Sequence, residues 1–483
     1  MKKDTSKFSY ACKAFLMKLT IGPLRTYGRQ LGVLNPTLKK KDELVGDMVA
    51  ILSGEMSPTD KQKSGAPIKD VYVDPKILKE IQSLKERFLF DEEALSLTEL
   101  FKNGAYIEVN DPSKDKMRNG TIGFGAKGCF LLPSKTGEGT LPVPQEVVAK
   151  YDLRDGDEVL CQTTDVSGFL TVSKIFTING VDCGELSRLS FDEISVAFPS
   201  EKIKTLSEEL PERGFAAAKY FEWLLPLGKG QRALVCAPPK AGKSRLLMQF
   251  VSFATQNNPS LIVLALLIEQ SPETVGEYMK IIPKENISYT TYGQKAEDNV
   301  IFADFLLNRA KRMSEMGKDV LLVVDSFTTL AKAYDETPEA AGGKRHDSGM
   351  EIKTLHYIKK YFGSARCFQG SGSLAIVGTT MFGTGSAIDE TVTNELIGVS
   401  NCCITLDEKL SAKRVYPAFD LLRSSTNEID KLLSEEELKT EGFLRSQYVP
   451  QFGNERLIKW LELCPTAKTL YEKTKKEFDD FKS

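Results

Sequence analysis

Residues 233–250 read Ala233-Leu234-Val235-Cys236-Ala237-Pro238-Pro239-Lys240-Ala241-Gly242-Lys243-Ser244-Arg245-Leu246-Leu247-Met248-Gln249-Phe250. An apolar run, a loop rich in Pro, Gly and Lys, and a helical pattern follow one another. Strand, loop and helix in that order are the context that a phosphate-binding loop ending in Gly-Lys-Ser requires. Backbone amides of such a loop point at phosphates, and the helix N-terminus adds partial positive charge. Lys243 is suited to β- and γ-phosphates, Ser244 to magnesium, and Gly242 to close backbone approach. Ala237 stands where the first glycine of the pattern falls. Pro239, Lys240, Ala241, Gly242, Lys243, Ser244 and Arg245 are the candidate nucleotide-binding residues.

A second apolar run completes this chemistry. Asp319-Val320-Leu321-Leu322-Val323-Val324-Asp325-Ser326 reads as a buried strand ending in an acid. Asp325 is placed to orient the water shell of magnesium. Further apolar runs at 261–268, 374–377 and 402–406 alternate with helical stretches. Continuous apolar strands separated by helices indicate a parallel sheet covered on both faces.

Upstream the pattern changes. Leu24, Tyr27, Leu31 and Leu34, then Leu44, Val45, Met48, Val49 and Leu52, recur at helical spacing over residues 1–55. Lys39-Lys40-Lys41 opens the second set, either as a solvated helix start or as a phosphate-contacting patch. Residues 56–72 are polar with two prolines and read as a linker, and 74–103 carry a helical pattern. From 104 to about 179, short β-rich runs such as Tyr106–Val109 alternate with glycine-marked turns, as in a small OB-type barrel. The expected domains are 1–55 (helical), 56–103 (linker and connector), 104–199 (barrel) and 200–483 (nucleotide-binding).

Composition excludes several classes. The 483 residues carry 64 Lys+Arg and 66 Asp+Glu, a net charge of 64 − 66 = −2, so the chain is not a histone-like basic protein. Nine cysteines without C-x-x-C spacing read as buried thiols in a reducing compartment. With only His346 and His356, a His-rich metal site is excluded, and a Ser-His-Asp or Cys-His hydrolase has little to draw on. The apolar runs are too short to span a bilayer, and no secretory signal is expected, which points to the cytoplasm.

The motifs resemble the bacterial transcription termination factor Rho family. The resemblance rests on Gly228-Lys229-Gly230-Gln231-Arg232 with Ala237–Ser244, and on Asp325-Ser326 with Leu330-Ala331-Lys332-Ala333-Tyr334. It rests also on Gly372-Ser373-Leu374, Thr384-Gly385-Ser386 with Asp389-Glu390, and Lys413-Arg414-Val415-Tyr416-Pro417-Ala418. In the barrel region Leu153-Arg154-Asp155-Gly156-Asp157 matches. The resemblance implies an α/β RecA-like P-loop domain, preceded by a small helical domain and an OB-type barrel. It implies a homohexameric, RNA-dependent ATPase and helicase that uses ATP and Mg. Such a ring binds nascent single-stranded RNA on the barrel, threads it through the centre and releases RNA polymerase. By this likeness Ala340–Gly349 forms one RNA-facing loop, with Lys344 and Arg345 as its charges. Met381–Glu390 forms the second, with Thr384, Gly385 and Ser386.

Some family positions differ here. The catalytic acid aligns with Gln270 in Glu269-Gln270-Ser271-Pro272; Gln orients water but cannot accept its proton. The arginine finger aligns with Asn427, while Arg414 and Arg423 remain as compensating cations. The lysine of the second central loop aligns with Ala387. In the barrel the base-stacking candidates are Phe124 and Phe130, and a family Tyr position reads Pro142. Phe130 also reads as barrel core. The candidate catalytic set is thus Glu269, Gln270, Asp325, Arg414 and Arg423. Two readings follow: an ATP-driven RNA translocase that terminates transcription, or a degenerate ring that binds ATP and RNA but turns over slowly. A RecA recombinase or rotary ATPase subunit is a third, disfavoured by a barrel preceding Pro-Pro-Lys-Ala-Gly-Lys.

Overall fold

In the computed structural model the apolar runs of the second half form one nine-stranded sheet. Its strands alternate side chains between two cores, as the two-residue period requires. The structure describes residues 12–53, 56, 77, 81, 115–125, 128–133, 140–166, 169–184, 188–207, 215–370 and 372–483. The linker expected at 56–72, the pattern at 74–103 and the run Tyr106–Val109 lie outside these, apart from Met56, Ile77 and Ile81. The chain divides into two compact units, Met1–Leu95 and Ser96–Ser483.

In the first unit, helices Ile21–Gln30 and Lys41–Ser53 bury Leu24, Tyr27, Leu44, Val45, Met48 and Val49 in a small apolar core. The first helix stops at Gln30, so Leu31 and Leu34 fall beyond it, and Leu34 is exposed. Lys39 pairs with Asp47, and Lys41 donates to the Met17 carbonyl at 2.7 Å, so two of the three consecutive lysines are engaged locally.

The second unit opens with six short antiparallel strands: β1 (Asp115–Gly125), β2 (Gly128–Pro133), β3 (Leu141–Val143), β4 (Glu158–Val166), β5 (Phe169–Ile178) and β6 (Val181–Asp182). Their order is β3-β2-β1-β4-β5-β6. The Thr171 hydroxyl on β5 donates to the Pro142 carbonyl on β3 at 3.0 Å, drawing the two sides of the sheet together. Ile122, Leu131, Val159, Cys161, Val172 and Ile175 fill the interior.

The large sheet contains β7 (Val196–Ala197), β8 (Arg232–Ala237), β9 (Ile262–Leu267), β10 (Ile287–Tyr289), β11 (Asp319–Asp325), β12 (Arg366–Phe368), β13 (Ser373–Met381), β14 (Cys402–Leu406) and β15 (Phe419–Thr426). Its main order is β10-β9-β11-β13-β8-β14-β15, with β12 pairing β13 and β7 pairing β12. The strands from β10 to β14 in that order are parallel, and β15 is antiparallel to β14. Val235, Ala265, Val323 and Val377 enter one core; Leu234, Leu264, Leu322 and Ile376 enter the other. That two-sided burial is why the strands read as unbroken apolar runs. No helix among the described residues is long and apolar enough to cross a membrane.

The small sheet docks on the helix Ala296–Glu315 through residues 152–157. Asn308 donates to Asp155 at 2.7 Å. Arg188 donates to Asp157 at 2.5 and 2.8 Å and to the Asp152 carbonyl at 2.6 Å. Gly156 has φ +88°, and a Cβ there would lie 2.5 Å from the Arg309 backbone nitrogen. Only glycine meets both demands. Gly156→Ala is expected to destabilise the chain by at least about 2 kcal/mol, through strain and overpacking. Thermal unfolding checks this; an unchanged midpoint would remove the close approach as a determinant of docking.

Candidate functional site

Every described phosphate-site residue lies at the carboxyl ends of β8 and β11. In open α/β sheets this edge is where ligands sit. β8 ends at Ala237, and the chain turns through exposed Pro239 and Lys240 into the helix Lys243–Asn257. Lys240 adopts φ +61° and Gly242 φ +90°, a left-handed pair that wraps the loop over the helix N-terminus. Gly242 precedes the helix without a capping side chain, so the first-turn amides are not occupied by one. An anion meets both free amides and the helix dipole there. Ala241 is buried beneath the loop, and Arg245 is exposed.

The ammonium of Lys243 lies 2.8 Å from Asp325 Oδ1 and 3.3 Å from the Ser244 hydroxyl. β13 runs between β8 and β11, and its Thr379 donates to the same Asp325 oxygen at 2.7 Å. Asp325 is fully buried. Burial alone pushes its carboxyl up; the charge of Lys243 and bonds from Lys243, Ser244 and Thr379 outweigh this and hold it below the usual range. The second oxygen, Oδ2, is buried without a hydrogen-bond partner. A buried anionic oxygen with a spare lone pair, beside a serine hydroxyl, fits the donor set of a hard divalent cation such as magnesium.

The candidate hydrolysis residues sit beyond β9. Glu269 takes φ +51° and is exposed; its backbone amide donates to Thr290 Oγ1 at 2.9 Å. Gln270 donates through Nε2 to the Ile268 carbonyl at 3.1 Å and the Asp325 carbonyl at 3.4 Å. Its amide is therefore anchored beside the acid of β11. Arg423, on β15, is exposed and stacks over Phe382 at 5.4 Å. Phe382 in turn donates its backbone N–H to the Ala237 carbonyl at 3.2 Å, which ties this cation to the root of the phosphate loop. Arg414 is exposed in the turn that leads to Tyr416. Asn427 is exposed at the end of β15, its backbone N–H bonded to the Asn401 carbonyl at 2.7 Å.

Two residues of this neighbourhood were not singled out as site residues. A Cβ on Gly242 would lie 3.3 Å from the Tyr416 ring, so the half-exposed Tyr416 forms a wall of the loop. Thr379 meets Asp325 because β13 lies between the two motif strands. Its signal was the polar pair Thr379-Thr380 inside a buried strand.

The candidate RNA residues occupy other places. Arg345 is bonded to the buried carboxylate of Glu351 at 3.2 Å and to the Gly349 carbonyl at 3.0 Å, which closes its loop as a hairpin. Lys344 is exposed. Thr384 donates to Asp389 at 2.7 Å, and the Ser386 hydroxyl accepts from the Asp389 amide at 3.4 Å to cap the helix Ala387–Ile397. Gly385 between them is exposed. On the small sheet Phe124 is exposed, whereas Phe130 is partly buried and covers Gly123.

Residues 217–426 match the ATP synthase alpha/beta family, nucleotide-binding domain. The transcription termination factor Rho of Karelsulcia muelleri is 34% identical over 347 residues, 71% of this chain and 88% of that protein. Transcription termination factor Rho 1 of Ehrlichia chaffeensis is 33% identical over 339 residues, 69% of this chain and 79% of that protein. Rho of Chromobacterium violaceum is 32% identical over 337 residues, 68% and 79% respectively. A P-loop nucleotide-binding fold, a phosphate loop facing a buried acid, and relatedness of this extent agree: the chain belongs to the transcription termination factor Rho family.

Proposed function

We propose that the protein is a Rho-type transcription termination factor, an ATP-dependent RNA translocase that releases nascent RNA from RNA polymerase in the cytoplasm. The observation that carries this reading is the contact between Lys243 and the fully buried Asp325 across an intervening strand.

In this reading the loop amides and helix N-terminus hold the phosphates of ATP. Lys243 exchanges its bond to Asp325 for bonds to the β- and γ-phosphates, and Asp325 keeps its bond from Thr379. Ser244 and Asp325 would hold magnesium, partly through water, and the ion would supply charge neutralisation on the phosphates. Tyr416 offers an aromatic face to the base. Gln270, anchored through Nε2, presents its carbonyl oxygen to an attacking water and orients it. It cannot take the proton, so the exposed Glu269 beside it is the available acceptor. Arg423 and Arg414 are the cations on hand for developing charge.

The remaining assignments extend this reading. The six-stranded sheet is an OB-type barrel that contacts single-stranded RNA through Phe124, with Phe130 supporting the strand beneath it. Lys344, Arg345, Thr384, Gly385 and Ser386 face RNA in the centre of a homohexameric ring. The domains are a helical domain at 1–55, a connector at 56–103, the barrel at 104–199 and the nucleotide-binding domain at 200–483. One observation favours a slow version of this motor: the catalytic-acid position is an amide bonded to backbone carbonyls.

The test is ATP hydrolysis by the purified protein with and without cytidine-rich RNA, beside Lys243→Ala. Turnover stimulated by RNA and lost in the variant is the expected result. ATP binding with no turnover under any condition would replace the motor by a nucleotide-dependent RNA-binding ring.

A further inference from the structure

Two thiols meet near the root of the phosphate loop, in the core on the face of the sheet opposite the helix that follows the loop. Cys236 is the penultimate residue of β8, one peptide before Ala237. Cys403 lies on the neighbouring parallel strand β14, opposite Leu234, so both side chains enter the same core. Their sulfurs are 3.8 Å apart, in van der Waals contact. The adjacent Cys402 enters the other core and meets the Thr426 hydroxyl at 3.3 Å, so it does not join the pair.

The two thiols are not equivalent. Cys403 is 9% exposed and Cys236 is 2% exposed, so an incoming small molecule reaches Cys403 first. The hydrogen bond from Cys236 draws the Cys403 thiol down despite burial, and Thr405 and the Arg423 charge help. The same bond, with burial, pushes Cys236 up. An attacking thiolate beside a protonated second thiol is the arrangement that yields a disulfide rather than over-oxidation.

We propose that Cys236 and Cys403 form a two-thiol oxidation site, closed to a disulfide by a hydroperoxide-class oxidant, and that closure weakens nucleotide binding at the phosphate loop. In the first step the Cys403 thiolate attacks one peroxide oxygen. An S–O bond forms, the O–O bond breaks, and hydroxide leaves, giving the sulfenic acid. In the second, Cys236 attacks the sulfur of that acid. The S–S bond forms, the S–O bond breaks, and the departing hydroxide takes the Cys236 proton as water. Two thiols and one peroxide become one disulfide and two waters.

Closure has a mechanical consequence. The sulfurs must approach from 3.8 Å to a bond of about 2.05 Å. Close-packed strands pass such a displacement on to their neighbours. The Thr380 hydroxyl contact on Cys236, 3.6 Å, is disturbed as well. Ala237 is one peptide away, and its carbonyl anchors Phe382, on which Arg423 rests. The chemistry of the pair stands without the nucleotide assignment; the effect on binding rests on it.

The experiment treats the full chain with hydrogen peroxide, blocks remaining thiols, and maps linked peptides by mass spectrometry without reduction. ATP affinity is measured for the reduced, oxidised and re-reduced forms, and for oxidised Cys403→Ala and Cys236→Val. The expected result is a Cys236–Cys403 peptide in the parent alone. ATP affinity falls about tenfold on oxidation, returns with a reductant, and is unmoved by peroxide in either variant. If one variant fails to fold, the other answers the same question. Absence of the linked peptide at saturating peroxide overturns the site, and a linked peptide with unchanged affinity overturns the switch. Reduced Lys243→Ala is measured alongside: if it binds ATP like the parent, the nucleotide reading fails and the peptide result still stands on its own.

Discussion

Lys243→Ala is expected to lower ATP affinity by about two orders of magnitude or more, since charge-assisted bonds to phosphate are among the strongest available. The structure adds a second consequence, in the nucleotide-free protein. Lys243 is the cation 2.8 Å from a fully buried carboxylate. Removing it leaves Asp325 with hydroxyl donors alone. In the parent, the carboxyl is held below its unfolded value, so it contributes stability above the ordinary carboxylate pKa of about 4 and loses it as pH falls through the lower folded value. In the variant, burial is no longer opposed by a charge, the folded value rises, and acid sensitivity begins at higher pH. Titration calorimetry with ATP, and thermal melts of both proteins between neutral and acidic pH, check the two parts. A variant that keeps parental affinity and melts in parallel with the parent at every pH would take Lys243 out of the site.

Gln270→Glu combined with Asn427→Arg is expected to raise RNA-stimulated ATP turnover by about 10²-fold or more. A positioned general base contributes ~10²–10⁴-fold. An arginine finger contributes ~10³–10⁵-fold. The structure says why the pair should be tolerated. A carboxylate cannot donate to the Ile268 and Asp325 carbonyls as the Gln270 amide does, so Glu at 270 turns away from them and toward the open site. Asn427 is exposed at a strand end where only its backbone is engaged, so a longer cation costs little there. Each single variant should gain less than the double. Initial rates at saturating ATP and RNA provide the measurement. A double variant no faster than the parent would mean that Glu269, with Arg414 or Arg423, already carries the chemistry.

Much of the fold was legible because its signals are local. The strand before Ala237, the loop through Ser244 and the following helix are contiguous, and their backbone demands are written in Pro, Gly and Lys. The apolar runs identified a two-sided parallel sheet because strands buried on both faces leave no polar alternation to read. The helix Lys41–Ser53 was equally clear from the spacing of Leu44, Met48 and Leu52. The helix Ile21–Gln30 is shorter than the period suggests: Leu31 caps it, its N–H bonded to the Tyr27 carbonyl at 2.9 Å, and Leu34 falls beyond it.

What only the tertiary structure decided depends on which strand lies beside which. The order β8-β13-β11 puts Thr379 between Lys243 and Asp325, although 54 residues separate Thr379 from the acid it serves. Tyr416 reaches the phosphate loop, and Cys403 meets Cys236 across 167 residues, for the same reason. Gly156 shows its purpose only against the backbone of Arg309. Arg345, expected to face RNA, is exposed and also bonded to the buried carboxylate of Glu351 in its own hairpin. Periodicity and turn chemistry act within a few residues, so the sequence alone determined the central apolar strands and the strand-loop-helix order around Ser244. Neighbourhood in a sheet is set by the joint packing of all the strands and helices. No short window of sequence carries that information, and here it decided the partners of Asp325, Cys236 and Gly156.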